Sequence, residues 1–324
     1  MLKLGITTEK ALSSPKTFLG RKKKVSLSLI MRLYEEGLNN EKSEFYFNEL
    51  RIGCPYKRTH SGRFSEINNF IIDVIKSQLG VEKNISVHDM AASSGITSWE
   101  FFEQLEAEKL KVVFIASDYY THLFFVCLRN HRWLTVLDSD FNILQYIGYG
   151  FVLTNPEANI YILNNLLLKY LNSSVLSKAQ NFLYKVIKNK YEYDRFDYKE
   201  ASGSIQRIPL ISPEILKNMV VKNNFKFIRH DLFRECKQKV DIIRTMNILN
   251  KKHFSEEQLL KGVDSIINSL NDKGLWIVGE NRDNMGSRCD ATLYIKSGNR
   301  LIRFRDFFGG SEVSDLIKGK FEAR

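Results

Sequence analysis

A chain of 324 residues with 44% hydrophobic and 26% charged side chains has the make-up of a globular protein with a substantial core. No apolar run approaches the roughly 18–20 residues of a membrane helix. Leu123–Leu128 is cut off by Arg129 and His131, and Met1–Ile6 lacks the apolar region and cleavage site of a secretory leader, so the expectation is a cytoplasmic protein with no membrane partner.

The net charge of +11 admits a nucleic-acid partner, but the chain is also rich in Asn, Ile and Lys, a bias that raises lysine everywhere. The dense basic run Arg21–Lys24 reads first as a solvated tail and second as a polyanion contact. Cys54, Cys127, Cys236 and Cys289 are far apart and form no C-x-x-C pair, which argues against a zinc site or a disulfide framework.

Residues 1–80 lack strand rhythm and predict a helical N-terminal cap, clearest over Val25–Tyr34 and Phe64–Leu79. In the second segment Phe64, Ile67, Phe70, Ile71, Val74 and Ile75 share a face, and Gly80 supplies a stop. Gly53–Gly62 between them is a turn-rich loop. Its Lys57 and Arg58, with Arg63, reach an anionic ligand or remain solvated.

An α/β core is expected over 81–324. Ile85–Asp89 reads as a buried strand closed by a carboxylate, the stretch on to Gly95 as a tight turn of small residues, and Ile96–Leu105 as a helix with Phe101, Phe102 and Leu105 at helical spacing. Unpaired N–H groups at such a helix start favour an anionic or polar ligand. Lys111–Asp118, an apolar run ending in a carboxylate, has the look of a buried parallel strand. Asp118 follows Gly95 by 23 positions, close to the roughly 20-residue offset at which an acid meets ribose hydroxyls. It also suits the N-cap of a helix over Tyr119–Leu128.

An insertion is expected over about 130–205: a hairpin of Trp133–Leu137 with Ile143–Ile147, helices after Asn155-Pro156-Glu157 and over Val175–Tyr191, and a polar connector over Tyr191–Ser204. Core elements then resume as strands over Phe225–Arg229 and Lys239–Ile243, and a helix capped by Ser255 with Gln258. Asn271–Gly274 ends that helix, Leu275–Gly279 is a buried strand, and Ala291–Lys296 with Arg300–Arg305 makes a closing hairpin. The pattern predicts a mostly parallel sheet with an antiparallel edge.

Together these stretches resemble the class I S-adenosylmethionine-dependent methyltransferases over about 81–309 without the insertion. The resemblance rests on the strand–Asp89–Gly95–helix unit with Asp118 ending the next strand, on Phe227–Phe233, and on Val240–Asn250 with Asp272–Val278. The last block is particularly similar to that of chemotaxis-receptor-type methyltransferases. In place of acidic-x-Gly-x-Gly-x-Gly stands Asp89-Met-Ala-Ala-Ser-Ser-Gly95, where Ala91 and Ser93 each add a Cβ and restrict positive φ.

The resemblance implies a Rossmann-like sheet and S-adenosyl-L-methionine as cofactor. It puts Asp89, Ala91, Ser93 and Gly95 under the methionine part, Asp118 on the ribose, Asp231 on the adenine amino group beside Leu232 and Phe233, and Thr245, Met246 and Asn247 at the transfer cleft. His253 and His230 are candidate bases in the titration range, and no metal cluster stands out. A small-molecule or protein acceptor is favoured. The alternatives are an RNA methyltransferase, in keeping with the charge, and a non-catalytic binding protein with a degenerate cofactor fold.

Overall fold

The computed structural model describes residues 7–8, 26–37, 39–50, 52, 59–78, 84–154, 162–187, 195–282 and 288–322. Arg21–Lys24, Gly53–Arg58, Gly80 and Asn155–Glu157 lie outside the described residues. The elements in order are β1 (Thr7–Thr8), α1 (Leu29–Glu35), α2 (Asn40–Glu49), α3 (Ser65–Gln78), β2 (Ile85–Met90), α4 (Ile96–Ala107) and β3 (Val112–Asp118). There follow β4 (His122–Leu128), β5 (Leu134–Leu137), β6 (Ile143–Gly148), β7 (Phe151–Thr154), α5 (Ile162–Leu171), a π-helical turn (Asn172–Leu176), α6 (Ser177–Ile187), β8 (Phe196–Glu200) and β9 (Gly203–Pro209). The chain closes with α7 (Pro213–Val221), β10 (Phe225–Arg229), β11 (Val240–Met246), α8 (Glu256–Ser269), β12 (Leu270–Asn281), β13 (Cys289–Ser297), β14 (Arg300–Phe307) and α9 (Ser314–Lys320).

The chain divides into two compact units, one of residues 1–38, 45–57 and 120–210, the other of 39–44, 58–119 and 211–324. This cut differs from the expected cap over 1–80. The α1 segment falls in the first unit and α3 in the second, and residues 120–210 belong to the first.

The second unit is a Rossmann-like α/β fold. Its sheet has the order β10-β3-β2-β11-β12-β13-β14, parallel from β10 to β12 and antiparallel at β13 and β14. Helices α3, α4 and α7 cover one face, where Ile71, Ile75, Phe101, Phe102 and Ile215 meet Val87, Phe114, Ile242 and Ile277. Helices α8 and α9 cover the other, where Val263, Ile266 and Ile317 meet Ile243, Trp276, Val278 and Tyr294. Burial on both faces explains why these strands read as unbroken apolar runs. Helix α8 starts with the expected capping box, as Ser255 and Gln258 bond each other's backbone N–H groups.

The first unit is an antiparallel seven-stranded sheet, order β1-β7-β6-β5-β4-β9-β8. Leu123 and Phe125 of β4 face the core with Ile30, Leu33 and Phe47 of α1 and α2, whereas Phe124 and Val126 face Leu168, Leu171, Ala179 and Leu183 of α5 and α6. Two expectations are corrected here. The predicted helix over Tyr119–Leu128 is strand β4, because both its faces are buried and leave no period to read. The described part of the Tyr191–Ser204 connector holds β8 and the start of β9, an antiparallel pair with Tyr198 opposite Ile205. Two boundaries also move. Thr245 and Met246 lie inside β11, and Asn271–Gly274 lies inside β12, which starts at Leu270 across a register shift from Val240.

Candidate active site at the carboxyl edge of the parallel sheet

Strand order reverses between β2 and β11: β3 lies on the far side of β2, and β12 on the far side of β11. In open parallel sheets ligands settle outside the carboxyl ends at this point, because the loops diverge there and leave a crevice. Those ends carry Asp89 and the turn after it, Asp118, His230 and Asp231, Asn247 and Glu280.

The turn from β2 to α4 holds Ala91, Ser93 and Gly95 at φ 59°, 59° and 81°. All three small-residue positions therefore keep the left-handed backbone, although only one is glycine. Each non-glycine residue there costs about 1–2 kcal/mol. The conformation is held from outside: the Ala92 N–H donates to Ser117 O at 2.8 Å, and the Ser93 N–H donates to Asp118 Oδ2 at 2.8 Å. Gly95 caps α4 and its carbonyl accepts from the Trp99 N–H at 2.8 Å. A Cβ on Gly95 would only touch Ile215 and Phe227 at 3.5 Å, so backbone angle rather than crowding selects glycine.

Asp89 faces inward. Its Oδ1 accepts from Arg244 Nε at 2.9 Å, and its Oδ2 accepts from Arg244 Nη2 at 2.5 Å and from the Ser98 hydroxyl at 2.6 Å. Arg244 is fully buried between the rings of Phe101 and Phe64, and donates further to Asn68 Oδ1 and Thr97 O. The Asp89 carboxylate thus fixes the turn and the β2–β11 pairing. Arg63 lies near this centre, where burial and the Arg244 charge push its guanidinium down to about 10.

Asp118 ends β3 with its carboxylate on the Ser93 N–H, in register with Arg229 of β10, whose guanidinium lies 5.1 Å from the centre of the Tyr119 ring. Asp231 accepts from the Phe233 N–H at 3.0 Å in an Asx turn, and Arg234 stands 3.6 Å away. Leu232 and Phe233 lean on the α8 side: Leu232 packs on that core, and the Phe233 ring meets Phe254 edge-on at 5.1 Å.

His230 lies 5.1 Å from His88, ring to ring. Burial pushes the His230 imidazole down against the pull of Asp231, and its Nε2 has no hydrogen-bond partner among the described residues. His88 is more deeply enclosed, bonded to Ser117 Oγ at 2.8 Å and Cys236 Sγ at 3.1 Å. His253 follows the Asn250 turn, and its Nδ1 likewise lacks a partner among the described residues.

Past β11, Asn247 takes φ 61° and laces the two strand ends together. Its N–H donates to Gly279 O at 2.8 Å and its Oδ1 accepts from the Asn281 N–H at 2.7 Å. Thr245 points into the core, where its hydroxyl accepts from Trp276 Nε1 at 2.9 Å, so it supports the edge from beneath. Glu280, between the two residues that bond Asn247, was missed in the sequence. It is buried, and burial together with Glu312 pushes its carboxyl up despite Arg282 at 3.0 Å. The signal was available: an acid that directly follows a buried parallel strand stands on the carboxyl edge. Among the described residues no group of three or more His, Cys, Asp or Glu is arranged to hold a metal ion, and no helix is long and apolar enough to cross a membrane.

No protein-family model matches the chain, and no curated protein matches it. Among solved structures, it is similar to the CMeT domain of the citrinin polyketide synthase, at 11% identity and TM-score 0.33 over 69% of this chain and 36% of that one. A putative S-adenosyl-L-methionine-dependent methyltransferase from Methanococcus maripaludis matches at 10% identity and TM-score 0.27, over 68% of this chain and 58% of that one. An S-adenosylmethionine-dependent methyltransferase from Clostridium acetobutylicum matches at 12% identity and TM-score 0.31, over 83% and 79%. The chain thus spans about a third to three fifths of the first two. These are remote shapes from which no residue role carries over.

Proposed function

We propose that the second unit is an S-adenosylmethionine-dependent methyltransferase domain acting on a small-molecule or protein acceptor. The observation that carries this reading is the turn after β2. Ala91, Ser93 and Gly95 all keep left-handed backbone at the switch point of the sheet, braced by Asp118. A chain does not hold two strained non-glycine residues at one turn without an over-determining surround, and such strain clusters at ligand clamps.

The residues fit the cofactor. Small side chains let the turn backbone approach it, and His230 Nε2, without a hydrogen-bond partner among the described residues, stands at the same edge. The turn Ala91–Gly95 would hold the methionine part, Asp118 the ribose hydroxyls, and Asp231 with Leu232 and Phe233 the adenine. Bound there, the cofactor supplies an electrophilic methyl group on sulfur. The chain's own task is then alignment of the acceptor and exclusion of water. Asn247 holds the β11 and β12 ends at a fixed spacing on the acceptor side. Where the acceptor must lose a proton, Glu280, His230 and His253 are the groups at this edge able to take it.

Calorimetric titration with S-adenosylhomocysteine tests the reading, on wild type, Asp118→Ala and Asp118→Asn. Micromolar binding that Asp118→Ala abolishes and Asp118→Asn weakens at least tenfold supports it. Absence of heat and of thermal stabilisation at saturating ligand in the folded wild type would overturn it.

A further inference from the structure

The charge of the chain is unevenly shared. The first unit has 20 Lys and Arg against 11 Asp and Glu, the second 28 against 26, so the first holds +9 of the total +11. Of that excess, residues 1–38 supply +5, with 8 Lys and Arg against 3 Asp and Glu, and residues 120–210 supply +3, with 10 against 7. Within the first unit, α5, the π turn and α6 form one continuous helix over 162–187. This stretch contains Lys169, Lys178 and Lys185 and no acidic residue.

Its inner face is used up by packing, as Leu168, Leu171, Val175, Phe182 and Leu183 are buried on the sheet. On the outer side Tyr170 is 66% exposed and Tyr184 is 61% exposed, in company with the exposed lysines and with Ser177 and Asn181. Exposed tyrosines between lysines suit one ligand chemistry well. Bases stack on the rings while ammonium groups neutralise phosphates. An anionic bilayer fits worse, because an interfacial helix needs its apolar face for lipid and this helix has committed that face to the core.

We propose that the outer face of the 162–187 helix binds single-stranded RNA, with Lys169 and Lys178 on phosphates and Tyr170 and Tyr184 stacked on bases. Single-stranded RNA is chosen over duplex because stacking needs splayed bases, and over DNA because Ser177 and Asn181 offer partners to a 2′-hydroxyl. Lys185 contributes less, since the Glu200 carboxylate on β8 lies within reach of its charge. The proposal stands whether or not the second unit binds the cofactor.

The test is fluorescence anisotropy of a labelled mixed-sequence RNA 20-mer against the full chain, as a function of salt. Lys169→Glu with Lys178→Glu should weaken binding at least tenfold near 0.1 M salt and lower the log–log salt slope by about 1.4, at about 0.7 per phosphate contact on a single strand. Tyr170→Ala with Tyr184→Ala should weaken binding at least fivefold and leave the slope unchanged. As a control, the exposed Lys217 and Lys226 of the second unit, both changed to Glu, should alter binding less than twofold. Equal loss in this control, or no binding by the wild type at low salt, would overturn the proposal. A DNA 20-mer bound as tightly would overturn the choice of RNA. Binding only to phosphatidylserine vesicles would replace the strand with a membrane surface.

Discussion

Arg244 and Asp89 are register partners on the adjacent parallel strands β11 and β2, and their side chains close a two-point ion pair with both groups buried. Breaking one side leaves an uncompensated charge in the interior. Arg244→Met should lower the unfolding free energy by about 3–5 kcal/mol. Adding Asp89→Leu to that variant should restore part of the loss, because the stranded charge is gone. Guanidinium unfolding of the two singles and the double gives the cycle. Simple additivity would show that the two residues do not act as a pair.

Ala91 offers a test of opposite sign. Its φ of 59° is strained for any residue with a Cβ, so Ala91→Gly should relieve about 1–2 kcal/mol. The glycine's extra freedom in the unfolded chain takes back about 0.5–1 kcal/mol. The net expectation is a small rise in Tm, whereas Ala91→Val should lower it by several degrees. A drop for both, measured by differential scanning calorimetry, would mean that the turn is not held in the left-handed region.

Acid should destabilise the protein through His88. Burial, with His230 beside it, pushes this imidazole down to about 3. Between about pH 3 and 6.5 the unfolded chain therefore binds a proton that the folded chain refuses. Stability from this group is complete above about 6.5 and falls as pH drops. From pH 7 to 5 the loss is about 2 kcal/mol. In urea titrations at the two pH values His88→Gln should lose less than the wild type by about that amount, although it starts lower. Parallel losses would assign the acid sensitivity elsewhere.

Lys296 on β13 is buried, and its ammonium donates to Ile267 O at 2.5 Å and Leu270 O at 2.7 Å at the end of α8, where Ile267 O also accepts from the Leu270 N–H. Lys296→Met would take a charged donor from both acceptors and remove a cation from the negative end of the helix dipole. The expected loss is about 1–3 kcal/mol. In hydrogen exchange, protection should fall most in the last turn of α8. Uniform change across the helix would argue against a capping role.

Strands β2, β3, β11 and β12 were legible because parallel strands covered on both faces carry apolar runs, and Asp89 and Asp118 near the ends of β2 and β3 mark the carboxyl edge. Helices α3 and α8 were legible from apolar spacing, and α8 also from its Ser255–Gln258 cap. The same reasoning failed at Tyr119–Leu128, where an unbroken apolar stretch is shared by a buried strand and a buried helix, and only pairing with β5 and β9 decides. Helix α7 carried its signal in Ser212-Pro213-Glu214, with proline at the first helical position.

The candidate site was legible in its backbone and less so in its side chains. Ala91 and Ser93 occupy the positions where the resemblance implied glycines, and the angles there are the ones glycine would take. The destination of Asp89 was hidden, because a carboxylate at a strand end reads the same whether it meets a ligand or a buried arginine. Its partner could have been found: Arg244 is a cation inside a fully buried parallel strand, and such a residue needs an opposite charge on a neighbouring one.

The strands that enter and leave the inserted segment are neighbours, with Thr121 O bonded to the Leu210 N–H at 2.7 Å and His122 paired with Pro209. This bears on how fast the chain folds. Strands β3 and β10 must pair although Asp118 and Phe225 are separated by the whole of that segment. Once β4 and β9 have zipped, the intervening residues 121–210 no longer count towards the loop that has to close. The entropy of bringing β3 and β10 together then falls by roughly 1.5–2 kcal/mol, enough to speed that encounter by more than tenfold. On a path where β4 and β9 pair first, a long-range contact in the sequence thus becomes a short-range one.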